Sequence, residues 1–202
     1  MKPDTYHHGD LRQALLAAAL EWIEDDGISS LSLRGIARRV GVSHNAPYRH
    51  FEDKTALLRA VAEEGFLSLT HTLSKTLADA PKHPLRRLEA IGVAYVQYAV
   101  DHAAHYRVMF GPYQHPQNHN YPSLTQAANE SFMVLVGVIA EGQANEGIRP
   151  GNAQELARVA WALVHGLSML VIDGQLPVDS DETVRDIASH TTRLLSDGFA
   201  IR

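Results

Sequence analysis

Apolar residues in this 202-residue chain recur three and four positions apart along almost its whole length, the spacing of one helix face. No segment alternates apolar and polar with a period of two, the mark of a half-buried strand, and helix-capping residues stand before several of the apolar stripes. These three observations predict an all-α protein of about nine helices, with no internal repeat.

The first helix opens on Asp10 and Gln13, a capping box. It carries Leu11, Leu15, Leu16, Ala19, Trp22 and Ile23 on one stripe and ends near Gly27. Leu33, Ile36, Ala37 and Val40 give a short second helix, stopped by Gly41, a residue free to take positive φ. Val42 can pack inward, and Ser43 can cap a third short helix over His44 to His50. Asp53 can cap a long helix from Lys54 to about Ala80, with Leu58, Ala62, Phe66, Leu69, Leu73 and Leu77 inward. Pro81 and Pro84 end it. Helices follow over Leu85 to His102 and His105 to Phe110. The segment Gly111 to Pro122, with three prolines, reads as a surface loop.

Ser123 with Gln126 caps the next helix, whose stripe is Ala128, Phe132, Leu135, Val136, Ile139 and Gln143. Asn152 with Glu155 caps another, with Leu156, Val159, Ala160, Leu163, Leu167 and Leu170 on one side. That helix also carries Trp161, Ser168 and Ile172 off the stripe, and a helix apolar on two faces needs two partners. Gly174 can end it. Asp179 with Glu182 starts a last helix through Val184, Ile187, Thr191, Leu194 and Leu195.

Composition narrows the class. The chain has no cysteine, which excludes disulfides, thiolate catalysis and cysteine-based zinc sites. Hydrophobic residues make up 45%, yet no apolar run is expected to span a bilayer, and no export leader is expected. A cytoplasmic protein without membrane contact is expected. Net charge is −5, unevenly spread: residues 32 to 54 hold five basic side chains (Arg34, Arg38, Arg39, Arg49, Lys54) against Glu52 and Asp53. From Thr55 onward there are eleven basic against fifteen acidic residues. A basic face on an acidic body is the electrostatic footprint of a small DNA reader.

The basic segment, SLRGIARRVGVSHNAPYRHFEDK, is also the one whose two short helices are joined by a tight Gly-Val-Ser turn. Its second helix is crowded with hydrogen-bonding side chains (His44, Asn45, Tyr48, Arg49, His50). Such a helix is poor core material and suits the major groove, so the pattern is a helix-turn-helix. The order Arg34-Gly-Ile-Ala-x-x-Val-Gly-Val-Ser43, then Tyr48-x-His50-Phe51, then Lys54-x-x-Leu57-Leu58, resembles the amino-terminal domain of TetR-family transcriptional regulators over about residues 10 to 62.

The resemblance implies a DNA-binding domain over residues 1–54 and a helical effector-binding and dimerisation domain over 55–202, divided inside the long helix. It places His44, Asn45 and Ala46 at base edges, an amide pairing with adenine, an imidazole meeting guanine and a methyl touching thymine. It places Ser32, Arg34, Tyr48, Arg49, His50 and Lys54 on the DNA backbone, Lys54 where a helix amino terminus favours phosphate. Pro47 departs from the usual leucine and predicts an irregular start to the reading helix. The resemblance further implies a homodimer through the last two helices on a palindromic operator, and repression relieved by a small effector.

Trp161-Ala-Leu-Val-His165-Gly166 resembles the Trp-His-Gly signature of one TetR subgroup, as does the opening Tyr6 to Arg12. The body residues expected to line an effector pocket are Tyr95, Tyr98, Tyr106, Met109, Phe110, Phe132, Trp161, His165 and Met169, which suit an apolar or aromatic ligand. The plainer alternative is a packed Trp161 beside a hydrogen-bonded His165. His102 and His105, with His115 and His119, raise a metal site as another alternative, but no recognised zinc spacing appears; neither metal nor cofactor is expected. A helical enzyme using His165 or the His102/His105 pair lacks a nucleophile motif, a phosphate loop and paired carboxylates, so no enzymatic activity is expected. A head that binds protein instead of DNA stays open on the residues alone.

Overall fold

The computed structural model describes residues 8–111, 121–178 and 180–200, without the side chains of residues 8–10 and 182. The loop expected over 111–122 falls largely outside these residues, as do the Asp10 and Asp179 caps and the Tyr6 motif. The described chain is all-α. Eight helices, α1 (His8–Ser30), α2 (Leu33–Val40), α3 (Lys54–Asp79), α4 (Pro84–Asp101), α5 (Ala103–Met109), α6 (Pro122–Ala144), α7 (Ala153–Ile172) and α8 (Asp181–Phe199), are joined by one turn of 3₁₀ helix, Pro47–Arg49. The only strand-like feature among the described residues is an isolated bridge, Ile148 to Ala200.

The residues group into two compact units. One is drawn from Met1–Gly65 and Ala104–Leu124, the other from Phe66–Ala103 and Thr125–Arg202. In the first, Leu15, Leu16, Ala19 and Ile23 of α1 are buried with Leu33, Ile36 and Ala37 of α2, and with Phe51, Leu57, Leu58 and Val61. Helix α1 kinks at Gly27, whose φ of 77° lies in the left-handed region. Helix α2 crosses α1 closely at Gly35: a Cβ there would sit 2.5 Å from the Trp22 ring. Ser32 caps α2 by accepting the Gly35 N–H at 3.1 Å, Gly41 ends it at φ 78°, and Asp53 caps α3 through the Ala56 N–H at 2.7 Å.

In the second unit α8 lies along α4, and α7 packs on both. Asn152 caps α7 through the Gln154 and Glu155 amides. Ser180 supplies the oxygen that accepts the Thr183 N–H of α8. In the first unit, Ser123 does not cap α6; its hydroxyl donates to Glu63 at 2.9 Å.

Two predicted stripes are turned. The buried face of α7 is Leu156, Ala157, Ala160, Val164, Leu167, Ser168 and Val171, while Val159, Leu163 and Leu170 are 55%, 38% and 49% exposed. Ser168, placed off the stripe by the sequence, is fully buried and satisfies its hydroxyl on the Val164 carbonyl at 2.8 Å. On α8 the inward row is Val184, Ala188, Thr192, Ser196 and Phe199, and Leu194 is 60% exposed. Small inward residues let α8 approach α4 closely. Counter to expectation, α6 and α7 are long and apolar enough to cross a membrane by length and composition. For α7 the cause is visible: it is apolar on its packed face and on its outer one.

The α4–α8 approach is close at Gly92, where a Cβ would collide with Thr192 Cγ2 and lie 3.3 Å from Thr192 Cβ. Thr192 cannot swing aside, since its χ1 is stiff and its hydroxyl donates to the Ala188 carbonyl at 2.8 Å. Gly92→Ala should therefore lower unfolding free energy by about 1–3 kcal/mol, the usual cost of overpacking, against the small helix-propensity gain of alanine. Urea denaturation monitored by circular dichroism measures it.

Candidate nucleic-acid interface and aromatic cluster

The segment expected to form a reading helix is shorter than an α-helix. Residues 44–46 form a turn in which the Ala46 N–H donates to the Ser43 carbonyl at 2.9 Å. The 3₁₀ turn then starts on Pro47 with no side-chain cap, so Ser43 does not cap it. Proline has no N–H to donate back along an α-helix and is best placed in a first turn. Pro47 is itself buried, and the Phe51 N–H returns to its carbonyl at 2.9 Å. The irregular start that Pro47 predicts is thus what the structure has.

Around that buried proline, His44, Asn45, Tyr48 and Arg49 are exposed, and Ala46 and His50 half-buried. Phe51 is core, with the Arg12 guanidinium 5.7 Å above its ring. Ser32 is exposed although its hydroxyl caps α2. The basic residues divide into two groups. Arg39 is held by Asp25 and, at 4.0 Å, by Glu21, with its guanidinium over the Trp22 ring. Lys54 donates to the carbonyls of Ile28 at 2.6 Å and Ser29 at 3.0 Å, closing the end of α1 beyond its kink. Arg34, Arg38 and Arg49 are exposed, and their side chains make no hydrogen bond or ion pair among the described residues. Sequence reasoning could not make this division, because all five share one local composition.

The second unit gathers four of the pocket residues. Trp161 donates its indole N–H to the Tyr95 hydroxyl at 3.1 Å, and that hydroxyl lies 3.4 Å from His165 Nδ1. Phe132 meets Trp161 edge-on at 6.1 Å between centroids, and the Trp161 and His165 rings stand 5.7 Å apart. Tyr95 is buried, Phe132 and His165 are half-buried, and Trp161 is exposed. Tyr98 is buried beside His102, 4.6 Å between rings, and burial raises its phenol pKa against a smaller lowering by a Ser68 hydrogen bond. Met169 is half-buried on α7. Tyr106, Met109 and Phe110 belong to the first unit, where Tyr106 pairs with Phe110 at 4.7 Å and Met109 presses on Gly65. Among the described residues no three histidine, aspartate or glutamate side chains converge as metal donors; His115 and His119 lie outside them.

Two family profiles match. One, described as bacterial regulatory proteins of the tetR family, covers residues 15–61; the other, a tetracyclin repressor-like C-terminal domain, covers residues 88–192. The chain is 44% identical over 63 residues to the tetracycline repressor protein class C of Escherichia coli, across 31% of this chain and 28% of that protein. It is 32% identical over 87 residues to the HTH-type transcriptional repressor DhaR of Mycobacterium sp. (strain GP1), across 43% of this chain and 44% of that one. The matched stretches thus span less than half the length of these curated relatives. A solved structure of a protein of unknown function from Rhodococcus sp. RHA1 superposes over 100% of both chains with a TM-score of 0.86 and 37% identity.

Burial lowers the His165 pKa below its ordinary value, so the unfolded chain binds this proton more readily than the folded one. Stability from this group is complete above the unfolded pKa of about 6.5 and declines as pH falls from there toward the lower folded value. His165→Gln should flatten the loss of stability between about pH 7 and pH 5 relative to wild type, read by urea midpoints across that range.

Proposed function

The chain belongs to the TetR family of bacterial regulatory proteins, and from that premise we propose that it is a dimeric, DNA-binding transcriptional regulator: a cytoplasmic repressor released from a palindromic operator by a small apolar or aromatic effector. The observation that carries this reading is the exposed set His44, Asn45, Tyr48 and Arg49 on a turn anchored by buried Pro47. Those side chains are polar, outward and largely uncommitted, which is costly for a core and useful in a groove.

In this reading His44, Asn45 and Ala46 meet base edges, each good bidentate contact worth about 1–3 kcal/mol of discrimination. Ser32, Arg34, Tyr48, Arg49, His50 and Lys54 hold the backbone and fix register. Lys54 has spent two N–H groups on α1 carbonyls and keeps its third for a phosphate. Residues 1–54 form the reading domain and 55–202 the effector and dimer domain, with α3 running through the boundary. A ligand that prefers one conformation of the body then shifts the population of heads able to bind.

The Tyr95–Trp161–His165 hydrogen-bonded group with Phe132 supports an aromatic-lined effector site and a place in the Trp-His-Gly subgroup. The exposed stripe of Val159, Leu163 and Leu170 on α7, with Leu194 on α8, supports a second copy as partner, since large exposed apolar rows mark association sites.

Selection from random duplex DNA should yield a two-fold symmetric site, as expected for a dimer reading two half-sites; recovery of no preferred duplex at low salt sinks the proposal. The double variant Leu163→Glu/Leu194→Glu should remain helical but run as a monomer in light scattering. Its operator affinity should fall by about 100-fold or more, because the second half-site no longer gains from a tethered partner.

A further inference from the structure

The five cations of the basic segment are not equivalent, and one that the motif leaves unassigned stands out. Arg34 and Arg38 lie four apart on α2, so they share a face, about 6 Å apart along the axis at 1.5 Å per residue. The opposite face, Leu33, Ile36 and Ala37, is buried. Both arginines are exposed and make no hydrogen bond or ion pair among the described residues. Arg39, the very next residue, is turned toward α1 and held by Asp25, Glu21 and the Trp22 ring. A cation in the last turn of a helix has a bland reason to be there, the carbonyl end of the dipole. Arg38 and Arg39 share that reason equally, so it does not explain why only one has been given carboxylate partners.

We propose that Arg38 is a DNA phosphate contact, acting with Arg34 as a two-pronged grip by α2 on successive phosphates of one strand, and that Arg39 is a positioning residue that holds α2 on α1 and touches no DNA. This rests on the DNA-reading proposal above and adds to it a residue and a division of labour. The α2 surface has the chemistry such a grip requires, namely two planar guanidiniums, each able to bind phosphate bidentately, with no acidic partner to be displaced first.

The test is the salt dependence of binding by the full-length protein to its selected duplex, measured by fluorescence anisotropy. Loss of one phosphate contact lowers the slope of log K against log salt by about 0.9. Arg38→Ala should show that reduction, with affinity falling alike on specific and unrelated duplexes, while its circular dichroism and melting temperature stay near wild type. Arg39→Gln, which removes the guanidinium from Asp25, Glu21 and the Trp22 ring, should keep the wild-type slope and lower the melting temperature. An unchanged slope in Arg38→Ala, with wild type binding normally, overturns this inference and leaves the DNA-reading proposal standing. Equal slope losses in both variants also overturn it, since any lost charge would then suffice. Failure of wild type to bind any duplex removes the DNA-reading proposal and this inference together.

Discussion

The amino-terminal unit depends on how the end of α1 is closed. A helix leaves its last carbonyls without i+4 amides, and here α1 ends at Ser30 just past its kink at Gly27, so that within the backbone the Ile28 carbonyl accepts only the Leu31 N–H, at 3.3 Å. Lys54, the first residue of α3, supplies its ammonium to the carbonyls of Ile28 and Ser29. One side chain thereby ties the close of α1 to the opening of α3, with α2 and the Pro47 turn lying between them in sequence. Arg39 fastens α2 to α1 from the other side through Asp25 and Glu21. These ion pairs are partly exposed, and such pairs stabilise weakly on their own. Their effect is to orient. Two of the five cations in the segment hold the scaffold, and in the proposed reading the charge left to face a nucleic acid is that of Arg34, Arg38 and Arg49, with the remaining N–H of Lys54.

A second constraint shapes the carboxy-terminal unit. Helix α7 is apolar nearly all round, and a helix of that kind must be covered on more than one side. One face packs on α4 and α8. A second flank carries Trp161 and His165 toward Tyr95 and Phe132. A third carries Val159, Leu163 and Leu170 outward. The sequence can show that α7 has too much apolar surface for one partner, but the periodicity of an all-round apolar helix has no phase. That is why the predicted inward stripe mixed Leu156, Ala160 and Leu167, which are buried, with three residues that are not. Helix α8 misled for the opposite reason: its inward row of alanine, threonine and serine is chosen for close approach to α4 around Gly92, and a search for large apolar residues passes over it.

Elsewhere the fold was legible. Helix existence and order follow from the apolar spacing, and Ser32, Asp53 and Asn152 act as the caps their positions suggest. Caps read well because the signal is local, an oxygen facing an amide two or three residues on. Ser123 read badly for the same reason: its hydroxyl is drawn to Glu63, a residue sixty positions away that no local rule contains. At the candidate interface the exposed character of His44, Asn45 and Arg49 was readable, and so was the disturbance caused by Pro47. The commitment of Arg39 and Lys54 was not, since their partners lie on α1.

The Pro47 turn also bears on how sequence-specific reading is achieved by so short an element. A full α-helix presents base-reading side chains from several successive turns, whereas here the exposed polar residues sit on one irregular turn and one 3₁₀ turn. Few side chains can then reach base edges, and a single half-site carries little information. Two consequences follow in the proposed reading. Backbone grip must supply a larger share of affinity, which gives weight to free arginines on α2, and discrimination must come from pairing two heads at fixed spacing. In that reading the outward apolar stripe of α7, Leu194 of α8 and the uncommitted cations of α2 are parts of one solution: a small reading surface is workable when the body holds a second copy of it at the right distance.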